Sequence, residues 1–180
     1  MKLTTALLLA TLAASPVRAD DVVLDQLDRC LGEEFAARVD LLIDGAPCSE
    51  MKGGCSSERS TWESTVEQQC VFPAFDHCLV RPEPVSCLDA LAGDLAFRAD
   101  AASLPSLEQI RARDDLTGFR RQGTVRARER IDEPDACSLQ DYLDDPEELR
   151  SACGAFVAAN TFFAAQTIRR RIRPTTGETR

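Results

Sequence analysis

Apolar residues recur along most of this chain at steps of three and four, the repeat of one helical face. Val23, Leu27, Cys30, Leu31, Phe35, Val39, Leu42 and Ile43 make one such stripe and predict a helix over 22–43. Asp20 and Asp21 favour its N-terminus, and Gly45 with Pro47 stops it. Trp62, Val66 and Cys70 stand one turn apart and predict a second helix over about 58–71, capped by Ser57 and closed by Pro73. Residues 73–84 then read as a proline-containing connection. A third helix over about 86–97 carries Cys87, Leu88, Leu91, Leu95 and Ala96. A fourth starts near Pro105 with Leu107, Ile110, Leu116 and Phe119 as its apolar face, and Gly118 and Gly123 weaken its far end. Residues 132–145 read as an acidic connector holding Cys137, with a short turn around Tyr142.

The last helix has the strongest signals. Asp145-Pro146-Glu147-Glu148 supplies a cap, a proline at the first helical position and a glutamate placed for a capping box. Leu149, Cys153, Phe156, Val157, Phe163, Ile168 and Ile172 carry its stripe. Arg169, Arg170, Arg171 and Arg173 complement the C-terminal dipole, ahead of Pro174. No alternating strand pattern accompanies these segments. The expected fold is all-α, a small disulfide-stapled bundle of about five helices.

The first residues have a different character. Lys2 precedes a run from Leu3 to Ala14 broken only by threonines, and Val17-Arg18-Ala19 offers small residues for signal-peptidase cleavage before Asp20. The run is shorter than the ~20 apolar residues of a membrane span. The expected organisation is a signal peptide at 1–19, a helical domain at 20–173 and a C-terminal tail at 174–180. A periplasmic or secreted location follows.

Cleavage there leaves 161 residues, enough for one domain with its own core. It removes Lys2 and Arg18, so the 21 basic residues fall to 19 against 30 acids, a net charge of −11. That balance disfavours nucleic acid and anionic membranes and favours cationic partners. Residues 20–50 carry nine acids against Arg29 and Arg38, and residues 132–148 carry eight and no base. Residues 111–130 reverse the sign, with seven arginines against Asp114, Asp115 and Glu129. The simplest expectation is that acidic and basic segments face each other inside the fold.

Eight cysteines survive cleavage: Cys30, Cys48, Cys55, Cys70, Cys78, Cys87, Cys137 and Cys153. In an exported chain an even number implies four disulfides, with on the order of 100 connectivities open. Each bridge contributes ~2–4 kcal/mol by restricting the unfolded chain. Zinc spacing and a redox C-x-x-C are both absent from the sequence. No metal or cofactor is expected.

Candidate chemistry is sparse. His77 is the only histidine and has no identifiable partner in sequence. Asp114-Asp115 and Asp144-Asp145 are adjacent, unlike carboxylates facing each other across a cleft, and Asp145 serves as a cap. No G-x-S-x-G occurs. These readings favour a binding protein over an enzyme. The loop bounded by Cys48 and Cys55 is the main surface candidate, with Lys52, Gly53, Gly54 and the nearby Ser57 as partner-binding residues. Lys52 is the one lysine remaining after cleavage.

Cys30-Leu-Gly32, Cys48-Ser-Glu-Met-Lys-Gly-Gly-Cys55, Glu58-Arg-Ser-Thr-Trp62 and Val66 together resemble the bacterial exported domain of the LprI lysozyme-inhibitor type. Cys137, its connector and Cys153 at the head of the last helix are similar to that family's second half. The resemblance covers about half of the chain after cleavage. It departs from the family pattern in lacking a tryptophan and a Tyr/Phe-Arg-Asp signature before Cys137, and Cys70, Cys78 and Cys87 are additional. It implies a helical disulfide fold and a protein partner such as a cationic lysozyme, with Lys52 approaching the catalytic carboxylates. The alternative is an envelope structural or accessory protein without inhibitory activity.

Overall fold

The computed structural model describes residues 19–44, 55–137, 139 and 143–172. The signal-peptide run, the whole 45–54 loop with Cys48, Lys52, Gly53 and Gly54, the turn at Tyr142 and the tail beyond 172 lie outside the described residues. Seven α-helices follow in order: α1 (Ala19–Leu31), α2 (Phe35–Asp44), α3 (Cys55–Leu79), α4 (Pro84–Ala99), α5 (Leu107–Arg111), α6 (Gly118–Asp132) and α7 (Pro146–Ile172). A 3₁₀ turn at Ala101–Ser103 follows α4, and no strand occurs among the described residues. No helix among them is long and apolar enough to cross a membrane.

The first stripe buries as its periodicity predicts. Val23, Leu27, Cys30 and Val39 are buried, with Leu31, Phe35, Leu42 and Ile43 packed against the same core. One helix is nevertheless two. The Gly32 N–H bonds the Asp28 carbonyl at 2.8 Å and the Glu34 N–H bonds the Arg29 carbonyl at 2.9 Å, turning the chain at 32–34. A Cβ on Gly32 would stand 2.8 Å from that Asp28 oxygen, so the turn needs glycine.

The second helix is longer than expected at both ends. α3 begins at Cys55, placing Ser57 inside its first turn rather than at its cap, and it runs through Pro73 to Leu79. The connection expected at 73–84 therefore shrinks to residues 80–83. Proline in a helix interior costs roughly 3 kcal/mol. Burial of Val71, Ala74 and Cys78 beyond or beside it offsets that cost, and disulfides hold α3 on either side.

The fourth expected helix divides into α5 and α6. Ser106 caps α5 in a full capping box with Gln109. Leu116 is fully buried in the link, and Gly118 opens α6 at φ +47°. Phe119, expected on the apolar face, is 92% exposed. Asp145 caps α7 as expected, its Oδ1 accepting from the Glu147 and Glu148 N–H groups at 2.8 and 2.9 Å.

α4 and α7 form the largest helix pair. Leu88, Leu91 and Leu95 of α4 are fully buried, and each contributes roughly 1.5–3 kcal/mol. The buried face of α7 is small rather than bulky: Ala152, Ala155, Ala158, Ala159, Ala164 and Ala165, with Phe162 and Ile168. The expected stripe is displaced on this helix, because alanine fills the tight seam while Phe156, Val157 and Phe163 lie at its half-exposed margins.

Three disulfides staple this arrangement among the described residues. Cys30–Cys70 joins α1 to α3, Cys78–Cys87 joins α3 to α4, and Cys137–Cys153 ties the connector to α7. Cys48 and the side chain of Cys55 lie outside the described residues.

Candidate functional site

The C-terminal arginines of α7 are built into the fold instead of standing solvated. Arg169 donates to the Arg98 and Ala99 carbonyls at 2.9 and 2.5 Å, closing the C-terminal end of α4. Arg170 donates to the Glu67 carboxylate of α3. Arg120 of α6 in turn donates to the Arg171 carbonyl at 2.7 Å, and Arg113 donates to that of Ile172 at 3.3 Å. Four helix ends thus meet around the last turn of α7. Its orphan carbonyls are served by guanidiniums from the basic 111–130 segment.

That network revises the expected facing of acidic and basic segments. Arg113 grips Asp115 and Arg128 grips Asp132, both local pairs. The acidic α1–α2 pair meets bases from elsewhere: Asp28 with Arg98, and Asp40 with Arg59. Glu34, just ahead of α2, takes Arg38 in that helix's first turn. Asp25, Glu33 and Asp44 remain on the exposed surface of the same pair. Adjacent exposed apolar groups are Val22 and Leu41.

Beside the arginine junction lies a cleft of about 530 Å³ between α3, α6 and α7. Arg126 and Arg130, one turn apart on α6, line it together with Arg171. Phe72 and Phe163 form its apolar wall, their ring centroids 5.8 Å apart and tilted by 54°. Ser64, Gln68, Asn160 and Thr167 contribute polar groups. The Arg171 guanidinium crosses α6 at Gly123, where an added Cβ would fall 1.3 Å from Nη1. Burial lowers the Arg171 pKa, and the neighbouring charges of Arg170 and Arg120 lower it further.

Among the residues singled out in sequence, His77 lies exposed on α3 with Nε2 3.2 Å from Arg81 Nη2. Trp62 is half-buried against the core. Asp115 is held by Arg113, whose hydrogen bonds draw its carboxyl below the usual range. No group of three potential metal ligands gathers among the described residues. The cleft residues escape periodicity reasoning, because they come from three helices separated by tens of residues. Gly123 within an arginine-rich helix is the sequence signal that marks it.

Comparison with protein-family models, curated proteins and solved structures returns no match.

Proposed function

We propose that the chain is an exported, disulfide-stabilised helical binding protein that engages a cationic protein partner without catalysing a reaction. The observation carrying this reading is the acidic α1–α2 pair, with Asp25 on α1, Glu33 in the turn and Asp44 on α2 exposed, and with α1 anchored to α3 by Cys30–Cys70. Carboxylates held on a rigid element steer a basic partner and lose little entropy when it docks. Export is supported by the apolar run at 3–14, and the cysteine pairing suits an oxidising compartment. The resemblance in sequence makes a lysozyme-like muramidase the leading partner.

Lysis of a cell-wall suspension by a cationic lysozyme, with and without the oxidised protein, tests the proposal. Inhibition that fades as salt rises and weakens in Asp25→Asn/Glu33→Gln/Asp44→Asn supports the α1–α2 interface. Inhibition abolished by Lys52→Ala instead moves the contact to the 48–57 loop. Full lysis at a large molar excess of protein removes the muramidase reading.

A second reading, an envelope accessory protein, draws on Phe97 and Phe119, which are 84% and 92% exposed. Large aromatics held in water suit burial against an assembly partner. Recovery of a stoichiometric envelope complex lost in Phe97→Ser or Phe119→Ser would favour it.

A further inference from the structure

We propose that the cleft between α3, α6 and α7 binds a small organic oxyanion, a phosphate monoester or a carboxylate. Its charged end lies on Arg171, Arg126 and Arg130, and its apolar part covers Phe72 and Phe163.

Two costs converge on this cleft and have no return within the described fold. The first is electrostatic. Arg171 Nη1 is buried and has no hydrogen-bond partner among the described residues. A charged donor withdrawn from water without an acceptor is unfavourable, and Arg120 and Arg170 add like charge beside it. Asp135 is the one carboxylate among the lining residues, against three guanidiniums, and no ion pair joins it to them among the described residues. The lining therefore carries a surplus of positive charge.

The second cost is conformational. Glycine inside a helix is less favourable than alanine by about 1 kcal/mol. Gly123 sits in the interior of α6, yet its missing side chain is the clearance that Arg171 occupies. A methyl group there would expel the guanidinium. The fold thus bears a helix-weakening residue to keep a cation in place, and that cation lacks an acceptor. An oxyanion supplies it.

The remaining walls define the rest of the ligand. Guanidiniums bind oxyanions through paired N–H donors, which suits phosphate and carboxylate oxygens. Phe72 is 45% exposed although it lies against Phe163, leaving aromatic surface for an apolar group. A volume of about 530 Å³ falls in the range of small-molecule pockets, roughly 300–1,000 Å³. The site uses helices other than α1 and α2, so its fate is independent of the muramidase reading.

Isothermal titration of the oxidised, full chain with phenyl phosphate, benzoate and inorganic phosphate tests the proposal. The expected result is saturable one-to-one binding of phenyl phosphate, benzoate or both, tighter than that of inorganic phosphate by about tenfold or more. The phenyl phosphate and benzoate arms separate the two anion types. Arg171→Gln should weaken binding about tenfold or more while leaving the thermal midpoint equal or higher, because it removes a partly buried guanidinium whose Nη1 has no acceptor among the described residues. Gly123→Ala should also weaken binding, and Arg150→Gln, at the exposed far end of α7, should leave it unchanged. Absence of saturable binding by any probe to the folded protein overturns the proposal. So does an Arg171→Gln variant that melts lower yet binds normally, which would make Arg171 a structural strut. Equal affinity for phenyl phosphate and inorganic phosphate, with benzoate not binding, would overturn the apolar half.

Discussion

Arg170 on α7 donates to Glu67 on α3 at 2.5 Å, and their side chains are only 8% and 6% exposed. This ion pair lies in the interior, where its geometry must offset the desolvation of both charges. Glu67→Leu or Arg170→Met alone should lower stability by about 3–5 kcal/mol, because each removes one charge of the buried pair. The double variant Glu67→Leu/Arg170→Met should recover most of that loss. Chemical denaturation of all four proteins measures the coupling.

The disulfides differ in the loops they close. Cys30 and Cys70 are 40 residues apart and Cys78 and Cys87 only 9. Chain entropy makes the longer closure worth about 1 kcal/mol more, so replacing Cys30 and Cys70 by serine should destabilise more than replacing Cys78 and Cys87. With six cysteines paired and an even total, thiol titration of the native protein should find no free SH. Non-reducing peptide mapping should return Cys30–Cys70, Cys78–Cys87 and Cys137–Cys153.

Pro73 is exposed inside α3 and removes a backbone donor from it. Pro73→Ala restores an N–H to the helix without disturbing buried packing. A stability gain of about 1–3 kcal/mol is expected by thermal or denaturant unfolding.

Asp100 closes α4 in the left-handed region, at φ 39° and ψ 54°, where glycine carries no steric penalty. The Asp100 N–H bonds the Ala96 carbonyl, and its own carbonyl accepts from Ser103, so the motif is held by backbone that glycine also has. Asp100→Gly should raise stability by about 0.5–1 kcal/mol.

Arg113 makes two hydrogen bonds to Asp115, at 2.9 and 2.6 Å, and these hold the carboxyl below its ordinary value. The contribution of this pair to stability is therefore complete above the unfolded value near ~4 and fades as pH falls through the lower folded one. Carboxyl NMR should show Asp115 titrating below the usual range. Asp115→Asn should flatten that part of the acid-stability profile and leave the neutral range little changed.

Periodicity identifies the buried faces of α1, α2 and α4 because their apolar residues are large and regularly spaced. It misreads α3, since Pro73 is a local stop signal and the burial that overrides it is tertiary. It misplaces the face of α7, where alanine, weakly apolar by type, occupies the seam against α4. Arg169, Arg170 and Arg171 read as a basic run completing a helix dipole. The acceptors of Arg169 and Arg170 are carbonyls on α4 and a carboxylate on α3, some 70 to 103 residues away, and Arg171 turns instead into the cleft. Gly123 reads as a weakness in a helix, and only the crossing of Arg171 turns it into a clearance.

No cysteine occurs between Cys87 and Cys137. α5 and α6, like α2, are therefore fastened to the rest by packing and hydrogen bonds, while α1, α3, α4 and α7 each carry a covalent anchor. Hydrogen exchange in α5 and α6 is therefore expected to be faster than in the cross-linked α3 and α4. A shift of α6 beside Arg126 and Arg130 would leave every sulfur bond intact.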